Sequence, residues 1–285
     1  MKHLILISIG AFLFYSSAAQ PTSKMKISLA EWSLHKALQS NKMTNLDFPK
    51  VAKTQYNIDA IEYVSRFFDN KAEDTTYLSQ LNVQCAKYGV KSVLIMVDDE
   101  GNLGDTNAIA RQQAVENHYK WVFAAKFLGC HSIRVNAGGN GDSAMVKIAA
   151  IDGLSKLAKY AAAFNINVIV ENHWGYSSQG NWLSDVMKKA NQHNLGTLPD
   201  FGNFDTYDRY QGVADMLPFA KDVSAKSYNF DDKGYETKID YSRMINLLID
   251  HNYSGYVGIE YEGEILSEKD GIKATIALLN KLGIK

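Results

Sequence analysis

The sequence predicts a single (β/α)₈ barrel, and three observations carry that reading. Apolar runs of strand length alternate with longer stretches of helical periodicity. Eight such units follow one another at about 30 residues each, which matches the barrel template. The length of 285 residues suits one domain of this kind, and no low-complexity segment or internal linker marks a second. The same alternation also permits an open doubly wound sheet.

Taken in order, the first unit pairs a strand over Lys26–Glu31 with a helix over Leu46–Tyr56. The second strand is Ile58–Val64, and its helix ends at Tyr88-Gly89, where glycine supplies the stop. Strand three covers Lys91–Val97 and leads into one long helix over Ala110–Leu128. Strand four, Ser132–Asn136, opens a glycine-rich loop before a helix over Ala144–Phe164. Strand five is Asn167–Glu171 with a helix over Asn181–Ala190, and strand six is Gly196–Asp200 with a helix over Tyr210–Ala220. Asp222–Tyr228 and Tyr256–Glu260 complete the strands, backed by helices over Tyr241–Asp250 and Lys269–Leu282.

Residues 1–19 read as a secretory signal peptide rather than as part of the barrel, which spans residues 20–285. Lys2 and His3 precede the apolar run Leu4–Tyr15, and small residues follow, with cleavage expected after Ala19. The run falls short of the roughly 20 apolar residues of a membrane span. The expected product is exported, periplasmic or extracellular, and free of the membrane. Cys85 and Cys130 are then permitted to pair, but a core of this size needs no bridge, and two buried thiols are the favoured reading. A formal net charge of -1 lacks the electrostatic footprint of a nucleic-acid binder.

Barrel active sites form at the C-terminal ends of the strands. Here those ends carry Glu31 and Trp32, Glu62, Asp98-Asp99, Arg134 and Asn136, Glu171 and His173, Asp200 and Asn203, Lys226, and Glu260 and Glu262. Residues two apart share a face, so Arg134 pairs with Asn136, Glu171 with His173 and Glu260 with Glu262. Several inward carboxylates repel one another unless a cation or raised pKa values intervene. A divalent metal on oxygen ligands and a set of tuned acids and bases are the two solutions. Some residues have plainer readings. Glu62 is either a site residue or the partner of a base at the rim. Asp98-Asp99-Glu100-Gly101 reads as a solvated turn, His131 as a core hydrogen-bonding group, and the Ala137–Gly141 loop as a tight reversal. His35 and His118 are equally open to a cap or a site role.

The stretches Val170-Glu-Asn-His173, Leu198-Pro-Asp-Phe-Gly-Asn-Phe204, Ala225-Lys-Ser-Tyr228 and Gly258-Ile-Glu-Tyr-Glu-Gly263 resemble the xylose isomerase-like TIM barrels. That superfamily holds sugar and sugar phosphate isomerases and epimerases, together with endonuclease IV type enzymes. The resemblance runs over essentially the whole chain after the leader. It implies a divalent metal (Mn, Mg, Co or Zn) held by Glu171, Asp200 and Glu260, with the two glutamates as the acid/base pair. It also exposes two departures. Ser224 and Asn203 stand where the relatives often carry histidines, and Lys226 adds a positive charge beside the carboxylates.

The resulting expectation is an exported sugar isomerase or epimerase that removes a proton next to a carbonyl through an enediolate. Glu171, Glu260 and Lys226 are its catalytic candidates. Trp32, Glu62, Arg134, Asn136, His173 and Asn203 would bind a small carbohydrate. Two alternatives share the barrel: a lyase that eliminates the glycosidic oxygen of a 3-keto-glycoside, and a sugar-binding protein without catalysis. Export and sparse basic residues favour a free sugar or oxidised glycoside over a sugar phosphate.

Overall fold

The computed structural model describes residues 24–285, so the leader expected over residues 1–19 lies outside the described residues. Eight parallel strands form one sheet: β1 Lys26–Ala30, β2 Ala60–Val64, β3 Lys91–Met96, β4 Ser132–Val135, β5 Asn167–Glu171, β6 Leu195–Leu198, β7 Val223–Ser227 and β8 Tyr256–Tyr261. Their order is β6-β5-β4-β3-β2-β1-β8-β7, so pairing runs unbroken around seven of the eight seams. Isolated bridges from Thr197 to Ala220 and from Asp200 to Ser224 hold the seam between β6 and β7. The predicted (β/α)₈ barrel is the observed fold.

Strand alternation sorts the side chains into two layers. Ile61, Tyr63, Val168, Val170, Ala225, Val257 and Ile259 join the large apolar core shared with the surrounding helices. The alternate positions face the barrel axis, where Ala30, Val64, Leu94, Met96, Ile169 and Leu198 make a second, smaller core. The same inward rows carry Arg134, Glu171, Lys226 and Glu260, all buried. In the β7–β8 ladder Lys226 lies directly opposite Glu260. The apolar rows therefore stop where the charged ones begin, at the C-terminal rim.

The helices begin where short polar side chains satisfy free amides. Asp74, Asn107, Asp142, Asp208, Asp240 and Ser267 each accept from the first turn of the helix they precede. Gly89 and Gly129 close two helices in the left-handed region, with φ of 67° and 77°.

Most boundaries shift by one or two residues from the sequence reading, and three of the differences have a visible physical cause. The long helix expected over Ala110–Leu128 is two, Ala108–Asn117 and Tyr119–Leu128. The His118 ring nitrogen Nδ1 bonds Ala114 O at 2.7 Å, and the His118 amide turns to Val115 O instead. That local bond interrupts the ladder and gives His118 a structural role. Strand β6 stops at Leu198 because Pro199 has no amide to continue it. The helix expected over Tyr210–Ala220 ends at Met216, and Leu217–Phe219 is a 3-10 turn around Pro218.

Cys85 and Cys130 are both free and buried. Tyr63 and Cys85 share a hydrogen bond of 3.3 Å in the outer core.

Close packing of loops on helices depends on glycine at position 153, inside the helix Ser143–Ala162. A Cβ there would stand 2.1 Å from the Leu103 carbonyl oxygen. Gly153→Ala gains about 1 kcal/mol of helix propensity, yet overpacking against backbone costs about 1–3 kcal/mol. The variant is expected to be less stable in urea denaturation; equal or greater stability contradicts this packing.

Candidate active site

A cavity of 510 Å³ opens at the C-terminal rim. Its deep wall is formed by Asp98, Arg134, Asn136, Glu171, His173 and Glu260, and its outer wall includes Trp32, Arg66, Asn102 and Trp174. Each deep residue sits at or just beyond a strand end, where the apolar barrel core gives way to solvent.

These side chains form a belt of alternating charge. Asp98, beyond β3, accepts from Arg134 Nη1 at 2.7 Å. Arg134 Nε lies 2.8 Å from Glu171 Oε2, in ion contact but without hydrogen-bond alignment. Glu171 Oε1 accepts from Asn203 Nδ2 at 2.8 Å, and Asn203 Oδ1 accepts from Lys226 Nζ at 3.2 Å. Lys226 Nζ then reaches Glu260 Oε1 at 3.4 Å, Glu262 Oε2 at 3.3 Å and Asp200 Oδ2 at 3.8 Å. Glu262 ends the chain by accepting from the Trp32 indole on the first unit.

Burial and neighbours set the protonation states. Burial drives the Glu171 carboxyl up, and Arg134 only partly opposes this, leaving it at about 8. Burial likewise lifts Asp200 to about 6 against the pull of Lys226. For Asp98 burial also pushes upward, but the charge and hydrogen bond of Arg134, helped by Asn136, win and hold it at about 2. Burial would strip the proton from Lys226, yet Asp200, Glu260 and Glu262 outweigh it and raise its pKa. His173 is pushed down to about 4 by burial and by the neighbouring Arg134 and Lys226.

A second chain fixes the His173 tautomer. Asn136 Nδ2 donates to Asp98 Oδ1 at 3.0 Å, so Asn136 presents its oxygen, Oδ1, to His173 Nδ1 at 3.1 Å. An amide oxygen only accepts, and the proton of the neutral ring therefore sits on Nδ1. Nε2 is left as a lone-pair acceptor.

Most residues singled out from the sequence converge here, with several changes of place. Trp32, Arg134, Asn136, Glu171, His173 and Glu260 line the cavity. Asn203 and Lys226 stand immediately behind, as the links between Glu171 and Glu260. Glu62 does not line the cavity, and among the described residues no base pairs with it at the rim. It is buried lower in the barrel, accepts from Ser28 Oγ at 2.5 Å, and occupies the space left by Gly258, where a Cβ would stand 2.3 Å from its carboxylate. Glu31 is also buried, and its carboxylate accepts from the Val64 amide at 2.9 Å.

Asp98 is the correction in the other direction. It is a site residue and not part of a solvated turn, because it continues the inward row of Leu94 and Met96. Strand alternation carried that signal; the acidic run around it masked it. Asp99 does face solvent, in a bidentate pair with Arg66 at 2.6 and 2.9 Å. His35 stacks behind Trp32 with its Nδ1 on Trp32 O, a packing role. His131 pairs with Asp222 at 3.2 Å, next to the start of β4. The glycines of the 137–141 loop allow close backbone approach, since a Cβ on Gly139 would fall 1.9 Å from Gly104 O.

Glu171, Asp200 and Glu260 each offer an oxygen within 4.8 Å of the others. Glu171 Oε2 and Asp200 Oδ2 are buried without hydrogen-bond partners, which suits a cation. The triad could therefore bind a metal ion. Ser224 supplies no imidazole; its hydroxyl donates to Glu260 Oε2 at 2.8 Å.

Because Asp98 is held below the ordinary carboxylate value of about 3.9, its ion pair stabilises the fold above that pH and the contribution is lost as pH falls toward 2. Asp98→Asn is expected to cost about 2–3 kcal/mol at neutral pH and to flatten the acid limb of the thermal-stability profile between pH 4 and pH 2. An unaltered profile removes Asp98 from this role.

The model of the family described as "Xylose isomerase-like TIM barrel" matches residues 51–282. Among solved structures, a D-tagatose 3-epimerase-like protein superposes with a TM-score of 0.72 at 18% identity, covering 90% of this chain and 97% of that one. A 3-keto-D-glucoside 4-epimerase from E. coli gives 0.66 at 15%, covering 91% and 99%. The IOLI protein with a bound zinc atom gives 0.70 at 14%, covering 91% and 98%. At these identities the likeness is one of fold. Among curated proteins none matches this sequence significantly. The match over most of the chain decides the matter: this protein belongs to the xylose isomerase-like TIM barrel family.

Proposed function

We propose that this protein is a sugar epimerase or isomerase that moves a proton at a carbon next to a carbonyl. The observation that carries the reading is that Glu171 and Glu260, from β5 and β8, face one cavity with an ammonium and a guanidinium between and beside them. Related enzymes of this family act on small sugars, as the names of the structural neighbours indicate.

In this reading the Glu260 carboxylate, contacted by Lys226, takes the proton from the substrate carbon. The C–H electron pair moves into a carbon–carbon double bond, and the carbonyl oxygen becomes an enediolate oxyanion. Arg134, which lines the cavity, faces that charge, with Lys226 acting from behind through Glu260; one well-placed donor is worth about 3–4 kcal/mol. Glu171, the carboxyl that holds its proton, returns one to the carbon, and the roles exchange in the reverse direction. His173 Nε2 and Asn136 orient substrate hydroxyls. A divalent cation held by Glu171, Asp200 and Glu260 would displace the Glu171 proton and supply Lewis-acid polarisation of the substrate oxygens. The all-oxygen donor set favours Mg or Mn over Zn. Delivery of this activity outside the cytoplasm is the companion proposal, resting on the apolar N-terminal run followed by small residues.

Glu171→Gln and Glu260→Gln are each expected to slow solvent-deuterium exchange into a panel of ketoses and keto-glycosides by about 10²–10⁴-fold. Full exchange in both variants disproves the acid/base pair. Release of an aglycone from a 3-keto-glycoside, in place of exchange with the glycosidic bond intact, assigns elimination instead.

Bound manganese, followed by its paramagnetic resonance signal, is expected in the intact protein and lost in Asp200→Asn. Equal signals from both proteins exclude the carboxylate triad as its site.

A further inference from the structure

We infer that the site takes a neutral keto sugar carrying a second ring, a keto-glycoside or a ketose-ended disaccharide, whose second ring rests on Trp174. The inference builds on the proton-transfer reading for the first ring and adds the substrate class.

Size is the first argument. At a liquid share of about 30 Å³ per water, the 510 Å³ cavity holds the bulk of some seventeen waters. A single hexose, with the bulk of roughly six waters on the same scale, fills less than half of it. The proton-transfer groups all lie in the deep part, so the unfilled part is the mouth.

The make-up of that mouth is the second argument. Trp174 is 48% exposed, and its ring packs against His173 with centroids 4.1 Å apart. One face of the indole is thus supported by a deep-wall residue, and the ring forms part of the cavity lining. Gly138 packs close beside the indole edge: a Cβ there would come within 3.3 Å of Trp174 Nε1 and 3.2 Å of Asn102 Oδ1, so the bare glycine lets the ring and the Asn102 amide sit together. Trp32 also lines the cavity, fixed by Glu262, by stacking on His35 at 4.8 Å and by Phe67 at 6.1 Å. Flat aromatic faces beside an amide suit the C–H face of a pyranose or an aryl group with hydroxyl edges.

Charge is the third argument, and it excludes an anionic second group. The lining carries Asp98, Asp99, Glu171, Glu260 and Glu262 against Arg66 and Arg134. Arg66, the cation at the mouth, is already engaged by both oxygens of Asp99. A phosphate there would meet a neutralised guanidinium and surplus carboxylates. A neutral ring meets neither problem.

The test is isothermal titration of the full protein with glucose, galactose and mannose, their 6-phosphates, their phenyl β-glycosides and the matching disaccharides. At least one two-ring ligand is expected to bind tenfold or more tightly than its own hexose, with the phosphates weakest. Trp174→Ala is expected to bring the ratio of two-ring to one-ring affinity close to one, and Trp174→Phe to restore it. Equal binding of one- and two-ring ligands overturns the inference, as does an advantage that survives Trp174→Ala or a preference for phosphate. Deuterium exchange, read on the ketose and keto-glycoside panel that has the carbonyl the reaction needs, separates the two readings. Exchange without two-ring preference sinks this one alone, and two-ring preference without exchange sinks the acid/base assignment alone.

Discussion

Two cations interleaved among five carboxylates hold the upper barrel together. Arg134 stands between Asp98 and Glu171, and Lys226 stands among Asp200, Glu260 and Glu262. Burial pushes the Glu171 and Asp200 carboxyls toward their neutral forms, and removing one member of a buried pair costs about 3–5 kcal/mol. The belt is therefore a structural necessity before it is a chemical instrument. Burial outweighs Arg134 at Glu171 and Lys226 at Asp200 and lifts them to about 8 and about 6, and that residual imbalance makes Glu171 an acid in the cavity it shares with Glu260.

The same belt positions groups that do no charge balancing themselves. Asn203 offers one end of its amide to Glu171 and the other to Lys226, joining the two halves of the site. Asp98 orients Asn136, and Asn136 in turn chooses the His173 tautomer. Ser224 and Asn203 thus have definite work as hydrogen-bonding links. Lys226 brings a fixed positive charge to the three carboxylates that could bind a cation, so the ammonium and any metal ion act on the same oxygens.

Legibility differed along the chain for identifiable reasons. Glu171 and Glu260 were readable because each ends an apolar run, Val168–Val170 and Val257–Ile259, whose alternation tells which way the next residue points. Asp98 obeys the same rule, but it begins the run Asp98-Asp99-Glu100, whose composition mimics a surface turn. Glu62 also points inward, as alternation requires. It lies too low in the barrel to reach the cavity, and height along the axis is not encoded in a period of two.

The sequence by itself determined the number and kind of elements, the inward rows and the identity of the acid/base candidates, since periodicity is a local property of the chain. Tertiary structure alone decided which charges meet, how far some protons are held from their ordinary pKa, and that Trp32 and Trp174 line one cavity. Those outcomes depend on closure of the barrel, which brings residues such as Trp32 and Glu262, 230 positions apart, into hydrogen-bond contact. Desolvation and Coulomb interaction act through that distance in space, and no reading along the chain contains it.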